Sequence, residues 1–411
     1  MCWPRRAMFH VLSRFDPSGA ESLREALEAH LRSVPQAPRG NGDLVLRMEE
    51  AVRRDPSACF AFDTEGHATL TAAGRGFRAG QFETPSIAEV RERARLARDR
   101  TTSASPVLRL HVIDGASAGS DIGALQALAP PGSLFQVASQ FNCLESPSPR
   151  IVPVFDYFDD PTQGPRASIS AFPGTLLRHY GAPADDGTRF VQRDHGPQIN
   201  LLASVCSPDV AVVRCGYLTP DAIRKPGAFA RALEDRFDDV RIGVHDGVDV
   251  VFGHDWLGPV TANERPRIAQ ALTSTLAAGL YGHVRGSDPE MLAIIRQLQR
   301  AAYAGTLLAA ASLGKSYVVL TLIGGGVFGN PVAIIWESIL WAADLVAPLL
   351  HEDMCVIVNG YSLSGRISLR ELWEGAQARG GTLSVFDQNS VEVFAAPDSN
   401  GRIPTPPVSR A

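Results

Sequence analysis

Lysine is almost absent from this 411-residue chain: it occurs only at Lys225 and Lys315, and every other basic residue is arginine. A lysine-dependent chemistry therefore has two candidates at most. Basic charge is not in excess either. The 39 Lys and Arg against 44 Asp and Glu leave a net charge of -5, which gives no field for nucleic-acid phosphates. The six cysteines (Cys2, Cys59, Cys143, Cys206, Cys215, Cys355) form no CxxC pair, which argues against a disulfide framework and a structural zinc site and fits a reducing cytoplasm. The N-terminus lacks a sustained apolar stretch and a small-residue cleavage site, so no signal peptide is expected. The most apolar run, 327–350, is interrupted by Asn330, Pro331, Glu337, Asp344 and Pro348, which favours a buried helix over a membrane span. GxxxxGK[ST] is missing, and no HExxH, GxSxG or Cys–His arrangement can be defended as a catalytic motif.

What is present has two textures. Residues 1–105 read as a helical accessory region. Helical spacing covers 18–31, with Leu23, Leu27 and Leu31, and a second short helix covers 44–52. An arginine-rich helix follows Thr84, Pro85 and Ser86, a capping grammar. Its Arg91, Arg93, Arg95 and Arg98 offer a binding face, but a solvated helix paired with Glu89 and Glu92 is the simpler reading. From 106 the pattern is α/β. Short β-branched or alternating runs at 107–113, 134–138, 209–213, 316–323 and 354–358 predict strands. Helices are expected at 265–280, at 287–312 (opened by Ser287-Asp288-Pro289-Glu290 and closed by Gly314) and after 331. A hairpin around Gln388-Asn389 ends the domain at 397, and 398–411 reads as a disordered tail. The alternation predicts an α/β sandwich with a mostly parallel or mixed central sheet.

The segment YVVLTLIGGGVFGNP, 317–331, carries the clearest chemistry. Gly324, Gly325 and Gly326 follow an apolar strand and precede a helix. Glycines there let backbone N–H groups face a concave space, and a helix N-terminus adds positive potential, so the loop is suited to a phosphate. The alternative is a tight turn without a ligand. The stretch 244–256 gathers His245, Asp246, Asp249, His254 and Asp255. A metal site there is conceivable, but Asp246-Gly247 is a turn signal and a hairpin is expected instead.

Three segments in order resemble the macrodomain family of ADP-ribose readers and hydrolases: FQVASQFNCLE (135–145), DYFDDPTQGPRASISAFPGTLLRHY (156–180) and LIGGGVFGNP (322–331). The resemblance spans about 106–360, with a long insertion at 181–285, and implies a three-layer α/β/α sandwich with a mixed central sheet and an N-terminal, mostly helical extension; an Asp-Asp-Pro-Thr-Gln-Gly-Pro loop stands where common macrodomains have polyglycine. QFN and TQGP make the chain similar to bacterial effector-type macrodomains that remove ADP-ribose from ubiquitin. The resemblance implies that Asn142 orients the distal ribose, unless it is simply a turn former. It implies that Asp160, or second Asp159, orients water at the anomeric carbon, unless such residues, Asp156 among them, cap the next helix. It further implies that Asp121 reads the adenine amino group, with Asp114 as rival. Gln163, Gly164, Gly324, Gly325, Gly326, Val327 and Phe328 would hold the rest of ADP-ribose. Gln140 and Glu145 are nearby polar residues of undecided direction. No cofactor, metal, membrane or nucleic acid enters this reading. The expected function is removal of ADP-ribose from modified protein. A non-catalytic ADP-ribose reader and another nucleotide-phosphate enzyme are the alternatives.

Overall fold

A computed structural model describes residues 41–100, 106–115, 122–127, 129–160, 162–253, 260, 265–282, 288–361, 363–386 and 391–394. In chain order, helix α1 (Asn41–Arg54) precedes strands β1 (Phe60–Phe62), β2 (Ala68–Ala72) and β3 (Arg75–Glu83), then α2 (Ile87–Asp99) and β4 (Leu108–Gly115). Next come α3 (Ile122–Ala127), β5 (Ser133–Ala138), a 3-10 helix at Val154–Asp159, α4 (Gln163–Ser170) and α5 (Phe172–Tyr180). The small pair β6 (Ala182–Pro183) and β7 (Arg189–Phe190), α6 (Pro226–Asp235), β8 (Gly243–Asp249) and β9 (Arg267–Thr273) follow. The chain continues through α7 (Pro289–Ser312), β10 (Tyr317–Thr321), α8 (Val332–Val346), β11 (Met354–Tyr361), α9 (Leu369–Gln377) and the hairpin β12 (Leu383–Phe386) and β13 (Val391–Phe394).

Among the described residues eleven strands form one mixed sheet in the order β1-β2-β3-β8-β9-β5-β10-β11-β4-β12-β13. Its centre, β9-β5-β10-β11-β4-β12, is parallel, and antiparallel hairpins flank it on both sides. Register shows that helices cover both faces. Phe135 of β5 lies beside Gln270 of β9, and Gln136 beside Ala271, so the two glutamines point to opposite faces. Gln270 Nε2 donates to Ala167 O in α4, while Gln136 Nε2 donates to Ala302 O and Thr306 Oγ1 in α7. Both amides are fully buried, and those bonds make the burial tolerable. Helix α8 together with the 3-10 turn that follows it, Val332–Leu349, is long and apolar enough to cross a membrane. In this fold it packs on α7, burying Ile335, Trp336, Ile339 and Ala343, while Glu337 pairs with Arg296 and Arg300.

Several expectations are met. The strands at 107–113, 134–138, 316–323 and 354–358 are β4, β5, β10 and β11, and the closing hairpin is β12–β13. The capping grammar at 84–86 resolves to Ser86 as N-cap, in a reciprocal box with Glu89. The arginines of α2 pair with acids: Arg91 with Asp238, Arg93 with Glu83, Arg95 with Glu92 and Asp99. The stretches 18–31 and 398–411 lie outside the described residues.

Other expectations are corrected. Residues 267–273 are not helical. They form β9, next to β5 at the sheet's centre, where burial on both faces erases the alternation that marks a strand. Residues 209–213 form turns, with one bridge from Ala211 to Ile223. Asp246-Gly247 is not a hairpin turn but a bulge within β8: Gly247 has φ +75° and the register slips between His245 and Val248. The cap of α7 is Asp288, whose carboxylate accepts from the N–H groups of Glu290 and Met291. Strands β1–β3 had no signal strong enough to announce them, and they extend the central sheet from within the N-terminal part.

The position of β9 gives a direct test. Leu272 is fully buried there, so Leu272→Ala should cost about 2–5 kcal/mol in urea unfolding. A loss below ~1 kcal/mol would place that segment at the surface instead.

Candidate functional site

Parallel pairing brings the C-terminal ends of β5, β10 and β11 side by side, the place where open α/β sheets receive ligands. A cavity of about 640 Å³ opens there, within the range of small-molecule sites. The turn after β5 and the start of α4 line one wall. The glycine loop after β10 lines the other, with Tyr217, Tyr281, Asn359 and Arg366 completing it.

The glycine loop is held open from behind. Asn330 Nδ2 donates to Leu276 O, Gly324 O and Phe328 O, and Asn330 Oδ1 accepts from Thr275 Oγ1. Asn330 N–H closes on Gly324 O and Gly329 N–H on Gly326 O. Gly324 sits at φ +71°, and a Cβ there would lie 2.4 Å from Thr275 Cγ2, so only glycine fits. Among the described residues no acceptor meets the N–H groups of Gly324, Gly326, Val327 or Phe328. They form a cluster of backbone donors beside the cavity, as an anion requires. The sequence led us to expect reinforcement from the next helix. No residue of α8 lines the cavity; the positive charge comes from Arg366, whose Nη1 donates to Gly325 O at 2.9 Å.

The opposite wall is acidic. Glu145 is 5% exposed and lines the cavity. It ends a turn in which Cys143 adopts φ +61°, a conformation costly for a non-glycine residue. The turn is fixed by Cys143 N–H to Gln140 O, Gln140 N–H to Leu144 O, and Arg178 Nε to Cys143 O. Glu145 N–H donates to Tyr157 Oη at 2.7 Å, and Tyr157 in turn bonds His179 Nε2 at 2.7 Å. Burial pushes His179 down to about 3, so its ring is neutral. Among the described residues the Glu145 carboxyl accepts only a long 3.4 Å bond from Gln140 Nε2, and its Oε1 has no partner, like Gln140 Oε1. Burial first, and the charge of Asp160 second, raise the Glu145 pKa well above the ordinary glutamate value. Glu145 is therefore a buried acid that holds its proton more tightly than an ordinary glutamate, next to a second carboxylate. Gly164 makes room for it, since a Cβ there would sit 2.7 Å from Glu145 Oε1.

Of the residues expected from sequence, Asp160, Gln163, Gly164, Gly324, Gly325, Gly326, Val327 and Phe328 line this one cavity. Asp160 also accepts from Thr162 N–H at 2.9 Å, and Gln163 Oε1 from Ile122 N–H at 2.8 Å. Asp159 and Asp156 are exposed on the 3-10 helix and do not line it. Asn142 does not line it either: its Oδ1 accepts from Leu144 N–H within the turn, the alternative role foreseen for it. Asp114 is committed elsewhere, accepting from the N–H groups of Leu363 and Ser364. Asp121 lies outside the described residues, as do His254 and Asp255. Among the described residues no group of three His, Cys, Asp or Glu is placed to bind a metal.

Four site residues had no decisive signal. Glu145 was noticed but not given a role, because burial cannot be read from one acidic residue in a turn. Tyr217 and Tyr281 come from the long insertion and pack with Phe328, with ring centroids 5.0–5.8 Å apart. Their hydroxyls hold Ser146 O and Pro147 O, which ties the insertion to the Glu145 turn. Arg366 follows a short 3-10 turn after β11.

The raised pKa of Glu145 has a sign that can be checked. Above about pH 4.5 an unfolded glutamate loses its proton while the folded one keeps it. The native state then binds more protons, so its stability falls as pH rises through that window. Glu145→Gln removes the effect. Differential scanning calorimetry should find wild type and variant similar near pH 4.5, and the variant increasingly the more stable as pH rises above it. Parallel pH curves would contradict the buried acid.

No family model matches the sequence. No curated protein matches it. Among solved structures, the fold is similar to poly(ADP-ribose) glycohydrolase from Thermomonospora curvata, at 14% identity and TM-score 0.40, over 78% of this chain and 93% of that one. It is also similar to poly(ADP-ribose) glycohydrolase from Deinococcus radiodurans in complex with ADP-ribose, at 13% identity and TM-score 0.37, over 71% of this chain and 95% of that one. At this level the likeness assigns no residue a role.

Proposed function

We propose that this chain is an ADP-ribosyl hydrolase of macrodomain type. One observation carries the reading: a single cavity sets a cluster of backbone N–H donors and Arg366 against a buried acid, Glu145, with Asp160 beside it. The donor wall suits a diphosphate, and the acidic wall suits glycosidic chemistry. The aromatic cluster of Tyr217, Tyr281 and Phe328 offers apolar surface on the cavity side to a ribose or base.

The residues then divide the work. The backbone of Gly326 to Phe328, with Arg366, binds the diphosphate and fixes the ligand's register. Glu145, still protonated, gives its proton to the oxygen leaving the anomeric carbon as that bond breaks. Asp160 stabilises the positive charge developing on the sugar and takes a proton from the water that attacks it. The products are ADP-ribose and the released acceptor, and the carboxyl pair is restored when Asp160 passes its proton to Glu145. The substrate in this reading is ADP-ribose attached to protein. Ubiquitin is the first target to assay, on the strength of the QFN and TQGP segments.

Calorimetry with ADP-ribose and a release assay on ADP-ribosylated proteins test this together. Wild type should bind and turn over. Glu145→Gln should bind within a few-fold of wild type and release nothing measurable. Arg366→Ala should weaken binding about tenfold, ~1.4 kcal/mol, and flatten its salt dependence. Binding with no release in wild type makes the chain a reader. No binding rejects both readings.

A further inference from the structure

Helix α1 belongs to the N-terminal part of the chain, outside the segments that resemble a known family. Its buried stripe is Val45, Met48 and Val52, all at 0% exposure. Glu49 falls inside that stripe and is 2% exposed. A carboxylate is expensive there unless strong donors meet it. Three do. Glu49 Oε1 accepts from Val154 N–H at 2.7 Å and from Tyr180 Oη at 2.6 Å, and Oε2 accepts from Phe155 N–H at 2.8 Å.

Val154 and Phe155 open the 3-10 helix Val154–Asp159, whose first N–H groups have no partner within it. The residue before it, Pro153, makes no side-chain cap. Glu49 caps this helix from another element, with charge-assisted bonds stronger than a neutral cap would give. The helix carries Tyr157, whose hydroxyl receives Glu145 N–H, and it delivers the chain directly to Asp160, whose N–H closes on Tyr157 O. Both acids of the cavity thus hang from one short helix. Packing supports the same docking: a Cβ on Gly42 of α1 would lie 3.3 Å from the Phe155 ring.

We propose that Glu49 is a positioning residue for the site: by capping the 3-10 helix it sets Tyr157, and through it Glu145 and Asp160. The N-terminal part of the chain is then a component of the hydrolytic centre. The inference rests on the proposed function for its catalytic readout, but its structural readout does not.

Glu49→Gln tests it in the full chain. The amide keeps the shape but turns one accepting oxygen into a donor, which must face Val154, Phe155 or Tyr180. Met48→Ala is the control, thinning the packing of the same helix without touching those bonds. Hydrogen exchange of the Glu145 amide reads positioning directly, whether or not the protein turns over. Exchange there should quicken at least about tenfold in Glu49→Gln and stay near wild type in Met48→Ala, compared at equal distance below each variant's melting temperature. With a hydrolysable substrate, Glu49→Gln should lose about tenfold or more in kcat with KM nearly unchanged. Unchanged Glu145 exchange in a folded Glu49→Gln protein, or an equal change in Met48→Ala, overturns the proposal. Wild type that never releases ADP-ribose rejects the hydrolase reading and leaves the exchange result to decide the role of Glu49.

Discussion

The parallel pairing of β5 with β10 is the constraint on which the site depends. Val318 and Val319 of β10 lie beside Leu134 and Phe135 of β5, so both strands end at the same edge of the sheet. The chain leaves β5 into the turn that presents Glu145, and leaves β10 into the glycine loop. Two walls of opposite character therefore face each other, although some 180 residues separate them in sequence. Neither wall needs the other to fold locally, but the cavity exists only because the ladder sets them in register.

The two walls solve opposite electrostatic problems. The glycine loop offers uncommitted N–H groups, and Asn330 and Thr275 hold it in that shape from behind. The Glu145 turn hides a carboxyl from water and leaves one oxygen without a partner among the described residues. Keeping it protonated is the less costly state, since ionising it would set two negative charges together in a dry site. Arg178 adds rigidity behind the turn. It is fully buried, and its guanidinium is spent on Cys143 O, His245, Gln270 and Thr175 Oγ1; burial pulls it down to about 10. The insertion from 181 to 285 is not peripheral to this arrangement, because it supplies two aromatic residues of the cavity and two strands of the sheet.

Much of this was legible in the sequence, and the reasons for the rest are physical. The glycine loop could be read because glycine runs after an apolar strand have few other uses. Strands β4, β5, β10 and β11 showed as short β-branched runs. β9 did not, because a strand buried on both faces carries no alternation, and RIAQALT suits a helix equally well by residue type. Asp160 and Asp159 could be ranked only by their neighbours; the fold separates them, placing one in the cavity and the other in solvent. Glu145, Arg366 and Glu49 were beyond reach for a common reason. The value of each depends on a partner far away in sequence: Asp160's charge, the glycine loop, and the N–H groups of the 3-10 helix. A charged residue inside a helical apolar stripe, as at Glu49 between Met48 and Val52, is the one local signal that would have flagged any of them.

The most direct measurement of the central claim is a crystal of the protein soaked with ADP-ribose. The account predicts the diphosphate on the N–H groups of Gly326 to Phe328 with Arg366 against it, and the anomeric carbon of the distal ribose turned toward Glu145 and Asp160. A ligand bound with its diphosphate away from the glycine loop, or with its distal ribose pointing out of the acidic wall, would contradict it.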